Sequence, residues 1–491
     1  MVQATLVDVV RNQFGTADAA KWVLVIGDLM LDRYLIGEVE RISPEAPVPI
    51  VLLKQQNERA GGAANVAANL AKLGIKTRLA GCLGKDSEGG ILLRLIAEMG
   101  IGTQGIVQSS QRQTITKTRI LGGHQQMLRL DQESRAAFDG SESQQLQQGV
   151  NRQLADHPAI IILSDYAKGV LSAALCAEVI AFAKQNSIPV LVDPKGRDYS
   201  KYAGASALTP NKRETAEACG VGLHDNEALI KAARALRAEL GLDFLAVTRG
   251  EEGISLIEAN EIQHIPATAK QVFDVSGAGD TVIATLAAGM VHGLSHQQAL
   301  QLANIAAGIV VGKVGTVPIT RQELLTELVL QNSTAQVDKI CDLQSLKTRV
   351  KNWRTAGQRI AFTNGCFDLL HAGHVTYLEA ARKTGDRLVL GLNTDRSVSA
   401  LKGPTRPVIH EADRARVLAA LEAVDAVILF DEDTPLALID AIRPDVIVKG
   451  DDYTEEQVVG GSEVKSWGGA VKLIPLVQGR STSNIIKKLG A

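Results

Sequence analysis

Short runs of β-branched residues recur along this chain at intervals long enough for a helix, and that alternation restricts it to layers of helices around a mostly parallel sheet. Residues 23–26, 160–163, 190–192 and 244–247 are apolar at successive positions, so neither face of such a strand can meet water. Each run ends in polar or glycine residues, where the loops of an α/β sheet carry chemistry. Residues 61–73 place Ala64, Ala67, Ala68 and Ala71 on one side at helical spacing, with Gly74 as a cap, which predicts a helix packed very close to the sheet. Residues 114–120 and 127–131 alternate polar and apolar instead. They predict an exposed β-flap inserted into the larger domain, serving as a lid or a dimer surface.

At 491 residues the chain exceeds what one hydrophobic core usually supports. The α/β pattern lapses near 331–341, and a fresh amphipathic helix follows with Leu343, Leu346, Val350 and Trp353. The expected division is a domain over 1–334, a linker and connecting helix over 335–358, and a second domain over 359–491 of about 130 residues, with strands at 388–392, 426–430 and 446–448. A net charge of −2 supplies no field to draw in nucleic acid or an anionic membrane. Small-molecule substrates are the expectation. No signal-peptide pattern opens the chain and no apolar run reaches the roughly 20 residues of a membrane helix, so a cytoplasmic protein is expected. The five cysteines, Cys82, Cys176, Cys219, Cys341 and Cys366, stand singly, and the expectation is structural thiols.

Two segments carry chemistry. In the first, Asp274-Val-Ser-Gly-Ala-Gly-Asp-Thr281, the residues Gly277, Ala278 and Gly279 present unencumbered N–H groups at the start of a helix running to about residue 290. The positive end of the helix dipole favours phosphate there. Asp280 stands where a carboxylate would take the proton of a hydroxyl attacking a γ-phosphoryl group. A glycine-rich helix cap without catalysis is the competing reading of this motif alone.

Further motifs stand with it in order: Gly61, Gly62 and Asn65, then Asn211, Lys212, Arg213 and Glu214, then Thr248 and Gly250. Through them residues 1 to about 330 resemble the ribokinase-like sugar kinases. The resemblance implies that Asp280 is the base, that Asn211 and Glu214 organise magnesium through water along with the nucleotide phosphates, that Lys212, Arg213, Thr248, Gly250 and the residues Gly277, Ala278 and Gly279 also bind ATP, and that Gly61, Gly62 and Asn65 touch the sugar. It also matches Asp28 to a ligand of the sugar hydroxyls, against a turn cap as the alternative. Lys168 and Lys195 follow strands, at a place to meet a second phosphate on the substrate, or else are simply solvated.

The second segment, residues 362–374, ends a strand with Thr363, Asn364 and Gly365, passes through Phe367 and Asp368, and enters a helix at His371 and His374. Two imidazoles one turn apart near a helix N-terminus suit the oxygens of a nucleotide α-phosphate, and Gly373 leaves room for the nucleotide. A zinc pair is the alternative, although no third ligand follows at metal spacing. With Asn393, Lys402, Lys449, Ser481 and Thr482, this part resembles the nucleotidyltransferases that carry a His-x-Gly-His motif. The resemblance implies that His371, His374, Lys402 and the Ser481–Thr482 segment hold the triphosphate, and that Thr363, Asn364, Gly365, Phe367, Asp368, Asn393 and Lys449 also bind the nucleotide. The cytidylyltransferases of that family carry an arginine before the glycine of their last motif, where this chain has Gln478 before Gly479 and Arg480 after it.

Kinase first and transferase second, the whole chain resembles the bifunctional heptose kinase and adenylyltransferase family of Gram-negative bacteria. The resemblance implies ATP as co-substrate of both reactions, Mg2+, heptose phosphates as substrates, and a homodimer through the kinase half. A different sugar kinase fused to a CTP-using transferase, and a metabolite-binding regulator without turnover, are the rivals.

Overall fold

The computed structural model describes residues 6–15, 21–123, 125–134, 138, 140–268 and 272–475. The chain divides into two compact units, Met1–Leu328 and Val329–Ala491.

The first unit is built on a nine-stranded sheet whose spatial order is Ile262–Ile265, Ile254–Ile257, Phe244–Thr248, Ala207–Leu208, Val190–Asp193, Ile160–Ser164, Trp22–Gly27, Lys76–Gly84 and Gly102–Ser109. From Phe244–Thr248 onward every pair is parallel, and the two strands before it pair antiparallel. Successive side chains leave opposite faces of a strand, and both faces here are apolar. Val23 and Val25 therefore enter one core with Ile160 and Ile162, while Leu24 and Ile26 enter a second with Ile161 and Leu163. After Trp22–Gly27 the chain builds the sheet toward one edge, then returns to lay Ile160–Ser164 on the other side of that first strand. The loops leaving Gly27 and Ser164 thus diverge, which opens a crevice at the carboxyl ends of these two strands.

A separate four-stranded sheet forms the flap, in the order Pro49–Gly62, Leu29–Ile42, Ile115–Gly122 and Gln125–Gln132. Alternation predicted the last two strands, but the long hairpin of the first two went unread. Its pairing extends through Gly61 and Gly62 to Met30 and Leu29, so the helix expected from residue 61 begins at Ala63, after Gly62 turns with φ +59°. Apolar side chains remain exposed on the flap, among them Val39, Ile42, Leu52, Leu53, Leu128 and Leu130.

The second unit holds five parallel strands in the order Ala426–Phe430, Arg387–Asn393, Ile360–Gly365, Val446–Gly450 and Ala470–Ile474. The order reverses between Ile360–Gly365 and Val446–Gly450, so this crevice opens at Gly365 and Gly450. The helix Leu343–Thr355, capped by Asp342 accepting from the Ser345 N–H at 2.7 Å, buries Leu346 and Val350 with Ile360, Phe362 and Val389. Its apolar stripe makes it part of the second unit's core. Among the described residues no helix is long and apolar enough to cross a membrane.

Candidate active sites

In the first unit, Gly277 adopts φ +80° as the N-cap of the helix Ala278–Val291 and brings Asp280 into its first turn. Asp280 is buried, and both carboxylate oxygens are engaged: Asn65 Nδ2 donates to Oδ2 at 2.7 Å, and the Tyr166 hydroxyl donates to Oδ1. Burial pushes its pKa above the usual carboxylate range, opposed by these two bonds. The result is a more basic carboxylate with a fixed orientation, the properties of a general base. Asn65 is itself anchored, since Asn69 Nδ2 donates to its carbonyl at 2.8 Å while Asn69 Oδ1 accepts from the Thr281 hydroxyl and the Ile319 N–H.

Asp280 borders a cavity of about 160 Å³ at the carboxyl ends of the strands, shared with Gly277, Gly279, Asn211, Glu214, Thr248, Lys195, Asp193, Asp165 and Tyr166. Asn211 caps the helix Lys212–Cys219 by a reciprocal pair: its Oδ1 accepts from the Glu214 N–H at 2.9 Å, and Glu214 Oε2 accepts from its own N–H at 3.0 Å. The other Glu214 oxygen meets Lys195 Nζ at 2.7 Å. Lys212, Arg213, Gly250 and Ala278 are not among the cavity's lining residues; Lys212 pairs with Glu252, and Arg213 is exposed against Glu217.

The sugar side departs from expectation at Asp28. Its carboxylate accepts from the N–H groups of Tyr166 at 2.9 Å, Lys168 at 3.0 Å and Val170 at 3.1 Å, and it is 1 % exposed. The turn-cap alternative is the arrangement observed, because three N–H groups of one loop converge on it. Gly61 and Gly62 admit no side chain: a Cβ would lie 2.5 Å from Asp32 Oδ2 in the first case and 2.5 Å from the Asp28 carbonyl in the second. Lys168 Nζ pairs with Glu133 at 2.7 Å.

Sequence reasoning missed four groups here. Asp32 is buried, paired with Arg119 at 2.6 Å and accepting from the Thr316 hydroxyl at 3.1 Å. Lys117 of the flap lies 5.6 Å from the Tyr166 ring centre, and burial lowers its pKa. Asp193 has its pKa raised well above normal, first by burial and then by Asp280. Tyr166 and Asp193 stand in the two motifs from which Lys168 and Lys195 were singled out, so the signal lay in the neighbours of the lysines.

In the second unit His371 is the N-cap of the helix Ala372–Arg382, and His374 occupies its first turn. The two rings stack with centroids 3.9 Å apart and planes 17° from parallel, and Phe367, at φ +43°, meets His374 edge-on. Burial, then the charges of His371 and Lys402, lower the His374 pKa to about 4, so its ring is neutral at pH 7. Such a ring donates from one nitrogen only. Lys449 ends its strand with Nζ donating to the Asn364 carbonyl at 3.1 Å, and burial lowers its pKa to about 8. These groups lie toward the carboxyl ends of the strands Ile360–Gly365 and Val446–Gly450, and Lys402 is near enough for its charge to act on His374.

Three of the predicted nucleotide ligands turn inward instead. Thr363 is fully buried, bonded to the Tyr377 hydroxyl at 2.7 Å and to the Val448 carbonyl at 3.0 Å. Asp368 pairs with Arg406 and accepts from the N–H groups of Val408 at 2.7 Å and Ile409 at 3.1 Å. Asn393 donates to Ser397 at 2.9 Å and faces the Cys366 thiol at 3.9 Å. They shape the loops that form the site. Arg414, which the sequence did not single out, is 2 % exposed and ties Asp395, the Cys366 carbonyl and the Ile409 carbonyl together. Ser481, Thr482 and Arg480 lie outside the described residues. Among those that are described, no trio of His, Cys, Asp and Glu gathers at metal-binding distance.

Both halves have known counterparts. Residues 20–322 match the model of the pfkB family carbohydrate kinases, and residues 362–488 match a cytidylyltransferase-like model. The first unit has the fold of phosphofructokinase-2 from Escherichia coli, with a TM-score of 0.54 at 18 % identity over 63 % of this chain and 99 % of that one. The chain is a bifunctional enzyme, a sugar kinase joined to a nucleotidyltransferase. It belongs to the family of bifunctional HldE proteins, being 69 % identical to the one from Methylobacillus flagellatus over the full length of both chains, and 56 % identical to that of Magnetococcus marinus over 97 % of this chain and 98 % of the other.

Proposed function

We propose that the first unit transfers the γ-phosphoryl group of ATP to the anomeric hydroxyl of D-glycero-β-D-manno-heptose 7-phosphate, and that the second joins AMP from ATP to heptose 1-phosphate. The products would be the 1,7-bisphosphate with ADP, and ADP-heptose with pyrophosphate. The observation that carries the reading is Asp280, a buried carboxylate bordering a cavity of about 160 Å³ at a helix N-terminus. In the kinase step the hydroxyl proton passes to Asp280 as the sugar oxygen bonds to Pγ and the bond from Pγ to the bridging oxygen breaks. The N–H groups following Gly277 face the charge that develops.

Magnesium suits the oxygen donors here. Asn211 and Glu214 already hold each other, and Glu214 holds Lys195, so they would act through water, as magnesium commonly allows. Bound there, the ion would neutralise phosphate charge. In the transferase step an oxygen of the sugar phosphate attacks Pα and pyrophosphate leaves. Neutral His374, Lys402, Lys449 and, beyond the described residues, Ser481 and Thr482 would carry the triphosphate. The exposed apolar side chains of the flap support a homodimer through the kinase unit, and ATP in both steps supports work in the cytoplasm.

Use of ATP rather than CTP is tested by supplying heptose 1-phosphate with each nucleotide and following pyrophosphate. Release with ATP alone is expected; release with CTP alone would overturn the base while leaving the folds intact.

A further inference from the structure

Asp280 is the proposed base, yet the loop opposite it is built with more care than a mere neighbour needs. Residues 165–170 leave the central strand Ile160–Ser164 and are pinned from two sides. Asp28 takes three of their N–H groups, and buried Asp165 accepts from the Ala167 N–H at 2.6 Å, the Tyr202 hydroxyl at 2.6 Å and Lys201 Nζ at 2.5 Å. Ala167 is held at φ +56°, a conformation unfavourable to a residue with a Cβ, which persists only where the surroundings over-determine it. The outcome of this local strain and of two buried carboxylates is one placement: the Tyr166 hydroxyl against Asp280 Oδ1.

We propose that Tyr166 is a positioning residue of the kinase step, its hydroxyl holding the Asp280 carboxylate in its ionised form and at the angle needed to receive the sugar proton. This rests on Asp280 being the base. Without the phenol, Asn65 alone would restrain the carboxylate, which would pivot on that single bond. The phenol is itself buried beside Asp280 and Asp193 and has its pKa raised, so it stays a donor at every working pH. The charged or titratable groups facing Asp280 are Tyr166 from this loop, Asp32 from the strand Leu29–Ile42, Lys117 from the flap and Asp193 from its strand; Asn65, uncharged, faces it from the helix Ala63–Lys72. Of these, Tyr166 is the charge-neutral donor whose removal changes no formal charge and little shape.

The test uses the full chain with Tyr166→Phe, which keeps the ring and deletes only the hydroxyl. Because the deleted bond favours the ionised carboxylate, kinase kcat is expected to fall about ten- to a hundredfold, KM for the sugar to stay within about twofold, and the acid limb of kcat/KM to move to higher pH. Pyrophosphate release by the other unit, unchanged, reports an intact chain. A wild-type rate and an unmoved acid limb would overturn the proposal. Asp280→Asn separates the two ideas: if it is inactive while Tyr166→Phe behaves as wild type, the base stands and the positioning role fails; if it remains active, the base itself is wrong. Should the phenylalanine variant not fold, 3,5-difluorotyrosine at 166, a stronger donor, is expected to move the acid limb to lower pH, and no movement would contradict the role.

Discussion

At pH 7 the ring of His374 is uncharged, because burial and the neighbouring His371 and Lys402 hold its pKa near 4. In the proposed transferase step it would donate one hydrogen bond to a phosphate oxygen without a net charge of its own, leaving the positive charge to lysines such as Lys449, whose pKa of about 8 keeps it largely protonated at pH 7. Pyrophosphate release should then stay level as pH falls through 6.5 and decline only near 4, read from kcat against pH. A decline centred on 6.5 would mean an exposed, ordinary imidazole. The linked effect on folding has a definite sign: the depressed value means the unfolded chain binds the proton first, so the stability of the second unit should rise with pH between about 4 and 6.5 and level off above. The same scale shows what a sequence can and cannot tell. Asp280 and His374 were legible because glycines and helix starts surround them in recognisable spacing. Tyr166 was not, since its role depends on a loop held by Asp28, which lies 138 positions away. Asp28 and Asp368 were read as ligands through the resemblance of their motifs, and a motif does not separate a carboxylate that meets a ligand from one that gathers backbone N–H groups.

Among elements, the helix Ala278–Val291 depends on how it starts. Gly277 sits at φ +80°, and a Cβ there would lie 2.9 Å from Asn65 Nδ2, the atom that holds Asp280. Gly277→Ala is expected to destabilise the first unit by about 1–2 kcal/mol and to lower kinase turnover well beyond what that loss implies, by moving Asn65. Thermal unfolding together with kcat checks both, and an active variant with a normal melting point would contradict the geometry. In the second unit, Arg414→Met leaves Asp395 and two carbonyls without their shared donor, at a cost of about 3 kcal/mol, readable as a lower denaturant midpoint. Helices and buried strands were legible through their periodicity, 3.6 residues in one case and continuous apolar runs in the other. The hairpin Leu29–Ile42 with Pro49–Gly62 was hidden because its strands are long, run from a buried end to an exposed one, shift register twice and mix charge with apolar residues, so no period-two pattern survives.

On the scale of the whole molecule, each of the two units of this bifunctional enzyme has its own switch-point crevice, one bordered by the Asp280 carboxylate and the other by the stacked rings of His371 and His374. If the flap pairs two copies, its exposed apolar side chains lie at the contact. Leu52→Glu combined with Leu128→Glu should then yield a monomer by light scattering while leaving pyrophosphate release intact, and an unchanged dimer would place the contact elsewhere. On the proposed function this chain performs two separable transfers on heptose phosphates. The most direct test measures ADP release from ATP and heptose 7-phosphate, and pyrophosphate release from ATP and heptose 1-phosphate, in the wild type, Asp280→Asn and His374→Ala. Both products are expected from the wild type, pyrophosphate alone from Asp280→Asn, and ADP alone from His374→Ala; loss of both activities in either folded variant, or neither product from the wild type with these sugars, would overturn the two-site reading.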